Sequence, residues 1–192
     1  MTHQRALKLL APYLAVGIFW CGLSNGWLAI LAYHFQILFW QRRARRTAIS
    51  TDRKSILLLA LPAILAGPLI FLLLPSMTRT ALVTWLAEHQ LSHLSLGAMI
   101  PYFAFIHPWL EQRHWAPLRN ETPLAHPLFA GYHLLVLYTL LTVPWLVVSF
   151  VVLAGASVAW QLMGRKFDSL ALPVASHILA DLGIIMAAWI RM

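Results

Sequence analysis

Charged residues are scarce in this chain of 192 residues, because they make up 10% of it against 60% hydrophobic residues. A soluble domain carries about 25% charged residues. The polar side chains are therefore too few to cover a water-facing surface, which excludes an ordinary soluble domain. No long polar stretch remains for a second unit, so we expect residues 1–192 to form a single membrane domain.

Cysteine is nearly absent as well. The single Cys21 excludes a disulfide within the chain and any metal cluster built on cysteine. His3, Arg5 and Lys8 precede the first apolar run, as basic residues do in a signal peptide. That run extends well past a signal core and has no clear small-residue cleavage site, so we interpret it as a membrane anchor.

Long apolar runs are what the sequence has in abundance. A membrane-spanning helix needs about 20 apolar residues. The run from Leu9 to Trp40 is too long for one upright span, so it forms either one tilted helix or two short helices broken near Ser24–Gly26. The other predicted spans are Ser55–Pro75, His93–Leu110, Pro127–Leu141, Pro144–Met163 and Ser169–Ile190. The pattern predicts an all-α, polytopic transmembrane bundle of about six or seven helices.

Four connecting segments complete this prediction. One is a polar connection after Leu110 that contains Arg113, Arg119, Asn120 and Glu121. The stretch Met77–Gln90 places Leu82, Trp85 and Leu86 on one helical face, which is typical of a helix lying in the membrane interface. A turn is expected at Thr142–Pro144, and a short basic turn at Gly164–Lys166.

The basic residues cluster between two apolar runs, in loop 41–54. A basic tract can bind nucleic acid, but beside a membrane span it marks the cytoplasmic side and contacts anionic lipid headgroups. We therefore expect membrane lipid as a partner and no nucleic acid. With this loop in the cytoplasm, the alternation of spans also puts Arg113, Arg119, Arg165 and Lys166 there. The compact size and the lack of organelle signals indicate a prokaryotic inner membrane.

Two acidic residues stand apart from the other four. Glu111 comes at the end of a predicted span and Asp181 in the middle of the last one, where a charge is expensive unless it is paired or functional. His177 precedes Asp181 by four residues, so the two share a helix face. His133 lies at a similar depth in another span. Three helices thus bring ionisable groups to one level in the cytoplasmic half.

Two chemistries fit such a group. A glutamate and a histidine can activate a water molecule while a second histidine stabilises an oxyanion. Alternatively, His107, Glu111 and His114 are spaced i, i+4 and i+7 on one helical face, a spacing that can hold a divalent metal. Pro108 interrupts that helix near its start.

Three motifs resemble the CPBP family, the CAAX-protease and bacteriocin-processing group of glutamate intramembrane proteases. Its pattern is Glu-Glu-x-x-x-Arg, then Phe-x-x-x-His, then His-x-x-x-Asn/Asp. Phe129–His133 matches the second motif and His177–Asp181 the third. Glu111 begins the first, in which Gln112 replaces the second Glu and Ala116 the Arg. The resemblance covers residues 111–183. The order of the three motifs and the spans in which they lie carry it.

The resemblance implies roles for these residues. Glu111 with His133 would activate water for attack on a peptide carbonyl near the cytoplasmic face. His177 and Asp181 would stabilise the oxyanion or position the substrate, and Gln112 and Phe129 would contact it. Neither a metal nor another cofactor is implied. The substrate would be a peptide or a membrane protein.

The departures at Gln112 and Ala116 leave other functions open. One is a family member without protease activity, which would act as a scaffold, an immunity protein or a partner subunit of a membrane-protein complex. The other is a membrane subunit that binds a metal or cofactor through its histidines.

Overall fold

The structure is a computed structural model that describes residues 3–41, 56 and 60–192. Within these residues every regular element is a helix, apart from one isolated bridge between Thr78 and Leu141. The prediction of an all-α protein is confirmed. Residues 42–54 of the predicted basic loop lie outside the described residues. So do residues 55 and 57–59, at the start of the span predicted from Ser55.

The α-helices are α1 (His3–Ala15), α2 (Gly26–Gln41), α3 (Ala66–Met77), α4 (Leu82–Glu88), α5 (His93–Pro101), α6 (His107–Glu121), α7 (Ala125–Leu137), α8 (Val143–Phe167) and α9 (Ala171–Ile190). Three shorter helical segments extend them. A π-helical segment, Val16–Gly22, continues α1; a 3-10 helix, Leu61–Leu65, leads into α3; and a second π-helical segment, Tyr102–Ile106, joins α5 to α6.

The first apolar run folds as two helices, which decides between the two alternatives. The chain breaks after Gly22, where Ser24 takes a left-handed backbone with φ of 47°. Asn25 then starts α2, because its side-chain Oδ1 accepts the Leu28 N–H at 2.9 Å. The Gly26 N–H donates to the carbonyl of His89 at 2.8 Å, which ties this turn to the end of α4.

The helix that carries Glu111 is longer than predicted. The span predicted at His93–Leu110 continues without a break through the second π-helical segment and α6 to Glu121. Pro108 does not interrupt it, because the π-helical segment Tyr102–Ile106 lies just before this proline, and such a local adjustment accommodates a proline inside a membrane helix. The polar connection expected after Leu110 is therefore helical, and Arg119 within it is buried rather than placed in a loop.

Two turns were expected at the ends of α8, one near Thr142 and one near Gly164. The chain does reverse near the turn expected at Thr142–Pro144, but the turn lies at residues 138–140, and Val143 and Pro144 already belong to the first turn of α8. The basic turn expected at Gly164–Lys166 is wrong, because α8 continues to Phe167. Asp168 ends it in the left-handed conformation, with φ of 45°, which aspartate tolerates better than most residues.

Among the described residues, three helices are long and apolar enough to cross a membrane: His3–Gly22, Val143–Phe167 and Ala171–Ile190. Two shorter apolar helices cover Leu61–Met77 and Ala125–Leu137. Much of α8 faces outward with apolar side chains, among them Val143, Val147, Val151, Val152 and Leu162. Such a surface fits hydrocarbon and not water, so the structure agrees with integration into a membrane.

Several helix ends lie on one side of the molecule. Arg5 at the start of α1 forms an ion pair of 2.8 Å with Glu121 at the end of α6. Arg165, in the last turn of α8, donates to the side-chain oxygen of Asn120 at 3.0 Å. The N-terminus is therefore on the same side as the α6–α7 connection and the C-terminal end of α8.

Helices α3 and α9 cross at two glycines that nearly touch. A Cβ atom added at Gly67 would lie 2.8 Å from the Gly183 Cα, and one added at Gly183 would lie 2.9 Å from the Gly67 nitrogen. Both neighbours are backbone atoms, which cannot rotate away as a side chain can. Small residues at such crossings let membrane helices pack closely, and this contact holds α9, which carries His177, against α3.

We predict that Gly183→Leu lowers the free energy of unfolding by about 1–3 kcal/mol, because the new side chain must separate two backbones. Gly155→Leu is the matched control, since a Cβ at Gly155 in α8 meets no atom within 4 Å. The measurement is the melting temperature of the purified proteins in one detergent. Equal melting of the two variants would contradict the close crossing.

Candidate active site

The centre of the bundle holds a carboxylate that no solvent reaches. Glu111 in α6 has a side-chain exposure of 0%. The hydroxyl groups of Tyr33 in α2 and Tyr132 in α7 both donate to its Oε1 atom. Hydrogen bonds to a charged acceptor offset much of the cost of burying it. Three helices thus hold one oxygen of this carboxylate.

The second oxygen is held differently. Oε2 of Glu111 is buried and has no hydrogen-bond partner among the described residues. His107 Nε2 and His177 Nε2 each lie 3.7 Å from it, too far for a direct hydrogen bond. A buried polar atom without a partner is costly and is characteristic of functional sites. This oxygen therefore keeps an unused acceptor position at the centre of the cluster.

Asp181 completes the group on the same side. Its Oδ2 lies 3.4 Å from His177 Nε2, one helical turn along α9. The Asp181 side chain is 23% exposed and that of His107 is 13% exposed, whereas Glu111 is fully covered. These two residues form the more open edge of the cluster.

Gln112 sets the protonation of His177. Arg119 Nη1 donates to Gln112 Oε1 at 2.7 Å, and a guanidinium can only donate, so the amide orientation is fixed. The other end of the amide, Nε2, then donates to His177 Nδ1 at 3.1 Å. The neutral His177 ring must carry its proton on Nε2, directed at Asp181 and Glu111. His177 is thus prepared to donate a hydrogen bond.

Arg119 is itself held by buried neutral groups. Its Nε donates to Ser157 Oγ in α8 at 2.9 Å, and the same Ser157 oxygen lies 3.0 Å from His126 Nδ1 in α7. The guanidinium also lies over the rings of Phe129 and Trp160, 5.2 and 5.4 Å from their centroids. Trp160 in turn stacks on His177 at 4.3 Å. The arginine connects α6, α7 and α8 beneath the cluster.

These placements bear on the metal hypothesis. Of the face formed by His107, Glu111 and His114, the first two come together, but His114 Nε2 contacts the Lys8 carbonyl at 3.2 Å. His177 cannot offer Nε2 to a metal while Gln112 donates to its Nδ1. In the part of the chain that the structure describes, no three His, Cys, Asp or Glu side chains are arranged to hold a metal ion.

His133 takes a more remote position than its predicted role requires. Its Nδ1 donates to the Phe129 carbonyl at 2.8 Å, and its Nε2 lies 3.1 Å from the Tyr132 hydroxyl. The path from His133 to Glu111 thus runs through Tyr132. Phe129, predicted to contact substrate, is fully buried against the rings of Trp115 and Trp160, a packing position. Gln112, also predicted to contact substrate, is fully buried between Arg119 and His177.

The sequence predicts Glu111, His133 and His177 at one level, but not the residues that support them. It did not single out Tyr33, His34, Tyr132, Ser157 or Trp160. His34 could have been found, because a histidine inside an apolar run is itself a signal. The tyrosines and Ser157 give no such signal, since uncharged polar residues are common in membrane helices.

No family model matches this chain, and neither a curated protein nor a solved structure matches it. The resemblance described above therefore rests on the motif residues themselves.

We predict that Arg119→Lys costs about 1–3 kcal/mol of stability, because an ammonium cannot reproduce the planar fork that serves Gln112 and Ser157 together. Arg113→Lys is the matched control on the same helix, since Arg113 lies over the Trp109 ring and a lysine can take that place. Thermal unfolding in detergent measures both. A loss as large in the Arg113 variant would contradict the role given to Arg119.

Proposed function

We propose that this protein is an intramembrane endopeptidase, a divergent relative of the CPBP glutamate proteases that hydrolyses a peptide bond near the cytoplasmic membrane face. The observation that supports it most is the free Oε2 of Glu111, buried between His107 Nε2 and His177 Nε2 at 3.7 Å from each. A water molecule bound there would meet a base and a hydrogen-bond donor together.

The reaction follows from these roles. Glu111 Oε2 takes a proton from water as the water oxygen bonds to the peptide carbonyl carbon, and the carbonyl oxygen becomes an oxyanion. The Nε2–H of His177, oriented by Gln112 and by Asp181, donates to that oxyanion. The tetrahedral intermediate then breaks its C–N bond, the leaving amine takes up the proton, and a carboxylate and an amine result.

The proposed site lies in the cytoplasmic half of the bilayer. With loop 41–54 in the cytoplasm, two helices in the first run give about seven membrane helices and put the N-terminus on the cytoplasmic side too. Glu111, His133 and His177 then lie in the cytoplasmic half of what we take to be a prokaryotic inner membrane. The ion pair between Arg5 and Glu121 supports this arrangement, because it joins two ends that the alternation assigns to one side.

A second candidate is a non-proteolytic relative that serves as a scaffold, an immunity protein or a partner subunit. The complete burial of Glu111 favours it, since a substrate must enter past Asp181 and His107 to reach that carboxylate. Neutral Gln112, where the family has a second glutamate, also favours it. Cleavage by the purified protein separates the two candidates.

We predict that Glu111→Gln lowers cleavage at least about 100-fold, because the amide keeps the shape and the contact with both tyrosines but is not a base. The protein is reconstituted in lipid vesicles, and cleavage of membrane-proximal peptide libraries is followed by mass spectrometry. Glu88→Gln is the matched control, an exposed carboxylate at the end of α4, and should cleave as the wild type does.

Two results would contradict this proposal. Cleavage by the Glu111→Gln protein at the wild-type rate would remove the carboxylate from the reaction. A folded wild type that cleaves no peptide in the libraries would favour the non-proteolytic candidate.

A further inference from the structure

His107 occupies a position that the family motifs do not assign. It lies one helical turn before Glu111 on α6, and its Nε2 is 3.7 Å from Glu111 Oε2. His133, to which the resemblance gives the role of partner to Glu111, reaches the carboxylate through the Tyr132 hydroxyl. Of these two histidines, His107 is the one directed at the free oxygen.

The protonation of His107 is set by a second histidine. His34 Nδ1 lies 2.7 Å from the Ile30 carbonyl, which can only accept, so the proton of neutral His34 is on Nδ1. His34 Nε2 is therefore an acceptor, and its neighbour at 3.0 Å, His107 Nδ1, must donate to it. Neutral His107 then has a lone pair on Nε2, facing Glu111.

Two acceptors consequently face each other across 3.7 Å. Neither His107 Nε2 nor Glu111 Oε2 can donate to the other while the carboxylate is ionised, and a molecule between them that carries two protons would satisfy both. Water is such a molecule. His177 Nε2–H, also 3.7 Å from Oε2, supplies the donor that a bound water oxygen needs. The three side chains together match both protons and one of the two lone pairs of a single water molecule, which leaves the other lone pair for attack on a carbonyl carbon.

We infer that His107 is a catalytic residue of the proposed hydrolysis, acting with Glu111 on the attacking water, and that His34 is its positioning residue. This inference rests on the proposed function. As the water oxygen bonds to the carbonyl carbon, Glu111 Oε2 takes one water proton and His107 Nε2 accepts a hydrogen bond from the other. As the C–N bond breaks, Glu111 gives its proton to the leaving nitrogen, and His107 Nε2 takes the second proton from the new carboxyl group, which leaves as a carboxylate. His34 Nε2, by accepting from His107 Nδ1, stabilises the resulting imidazolium.

The first test compares two histidine variants in the peptide cleavage measurement. His107→Asn keeps a donor near the Nδ1 position for His34 but has no atom at Nε2, so kcat should fall about 10²- to 10⁴-fold. His133→Asn is the matched control and should keep kcat within about tenfold of the wild type. A loss in His133→Asn equal to or greater than that in His107→Asn would overturn the inference.

The second test does not depend on activity, and its main readout needs only the wild type. In wild-type protein labelled with ¹⁵N-histidine, the bond between His34 and His107 should give a nitrogen–nitrogen coupling across an N–H···N hydrogen bond. The proton should be on His107 Nδ1, with Nε2 at the shift of an unprotonated nitrogen. His34→Leu should move the His107 proton away from Nδ1, an effect that a merely structural role would not produce. A proton on Nε2 of wild-type His107 would overturn the inference.

The outcomes separate this inference from the function beneath it. A wild type that cleaves nothing overturns both. Cleavage that requires Glu111 but continues at full rate in His107→Asn overturns the role of His107 and leaves the peptidase standing.

Discussion

The whole arrangement depends on the burial of one carboxylate inside a helix bundle that faces lipid. Glu111 has no exposed surface, so its charge must be met by groups from the protein. Two tyrosine hydroxyls from α2 and α7 donate to one oxygen, and two histidines from α6 and α9 surround the other. The need to satisfy this carboxylate therefore fixes how four helices meet.

Arg119 is a second buried charge, and it orders the side chains next to Glu111. Arg119 orients Gln112, Gln112 orients His177, and Trp160 stacks on the same ring. These contacts give Gln112 a defined structural role at the position where the CPBP pattern has a second glutamate. The arginine of the pattern is absent at Ala116, and Arg119, almost one helical turn later, lies in contact with the motif instead. The close approach of Gly67 and Gly183 then keeps α9 in register with α3.

Apolar runs and spacing were enough to predict an all-α chain, to offer a break near Ser24 as one of two alternatives, and to predict a reversal of the chain close to Thr142. They failed where tertiary contacts decide. The helix through Arg119 looked like a polar loop, because its partners Ser157 and Gln112 come from a neighbouring helix and an earlier turn. Helix α8 extends past its predicted end at Met163. It ends where Asp168 takes the left-handed conformation, which the sequence alone does not reveal. The residues around Glu111 were predictable as ionisable groups at one depth, but the tyrosines that hold it were not.

The most direct test of hydrolysis at this site is a single turnover in water enriched in ¹⁸O, with the protein reconstituted in lipid. Water activated beside Glu111 predicts one ¹⁸O atom in the newly formed C-terminal carboxylate of the product peptide. Cleavage without ¹⁸O in that carboxylate would mean that a carboxylate of the protein itself attacks the carbonyl and leaves its oxygen in the product, and it would contradict the account.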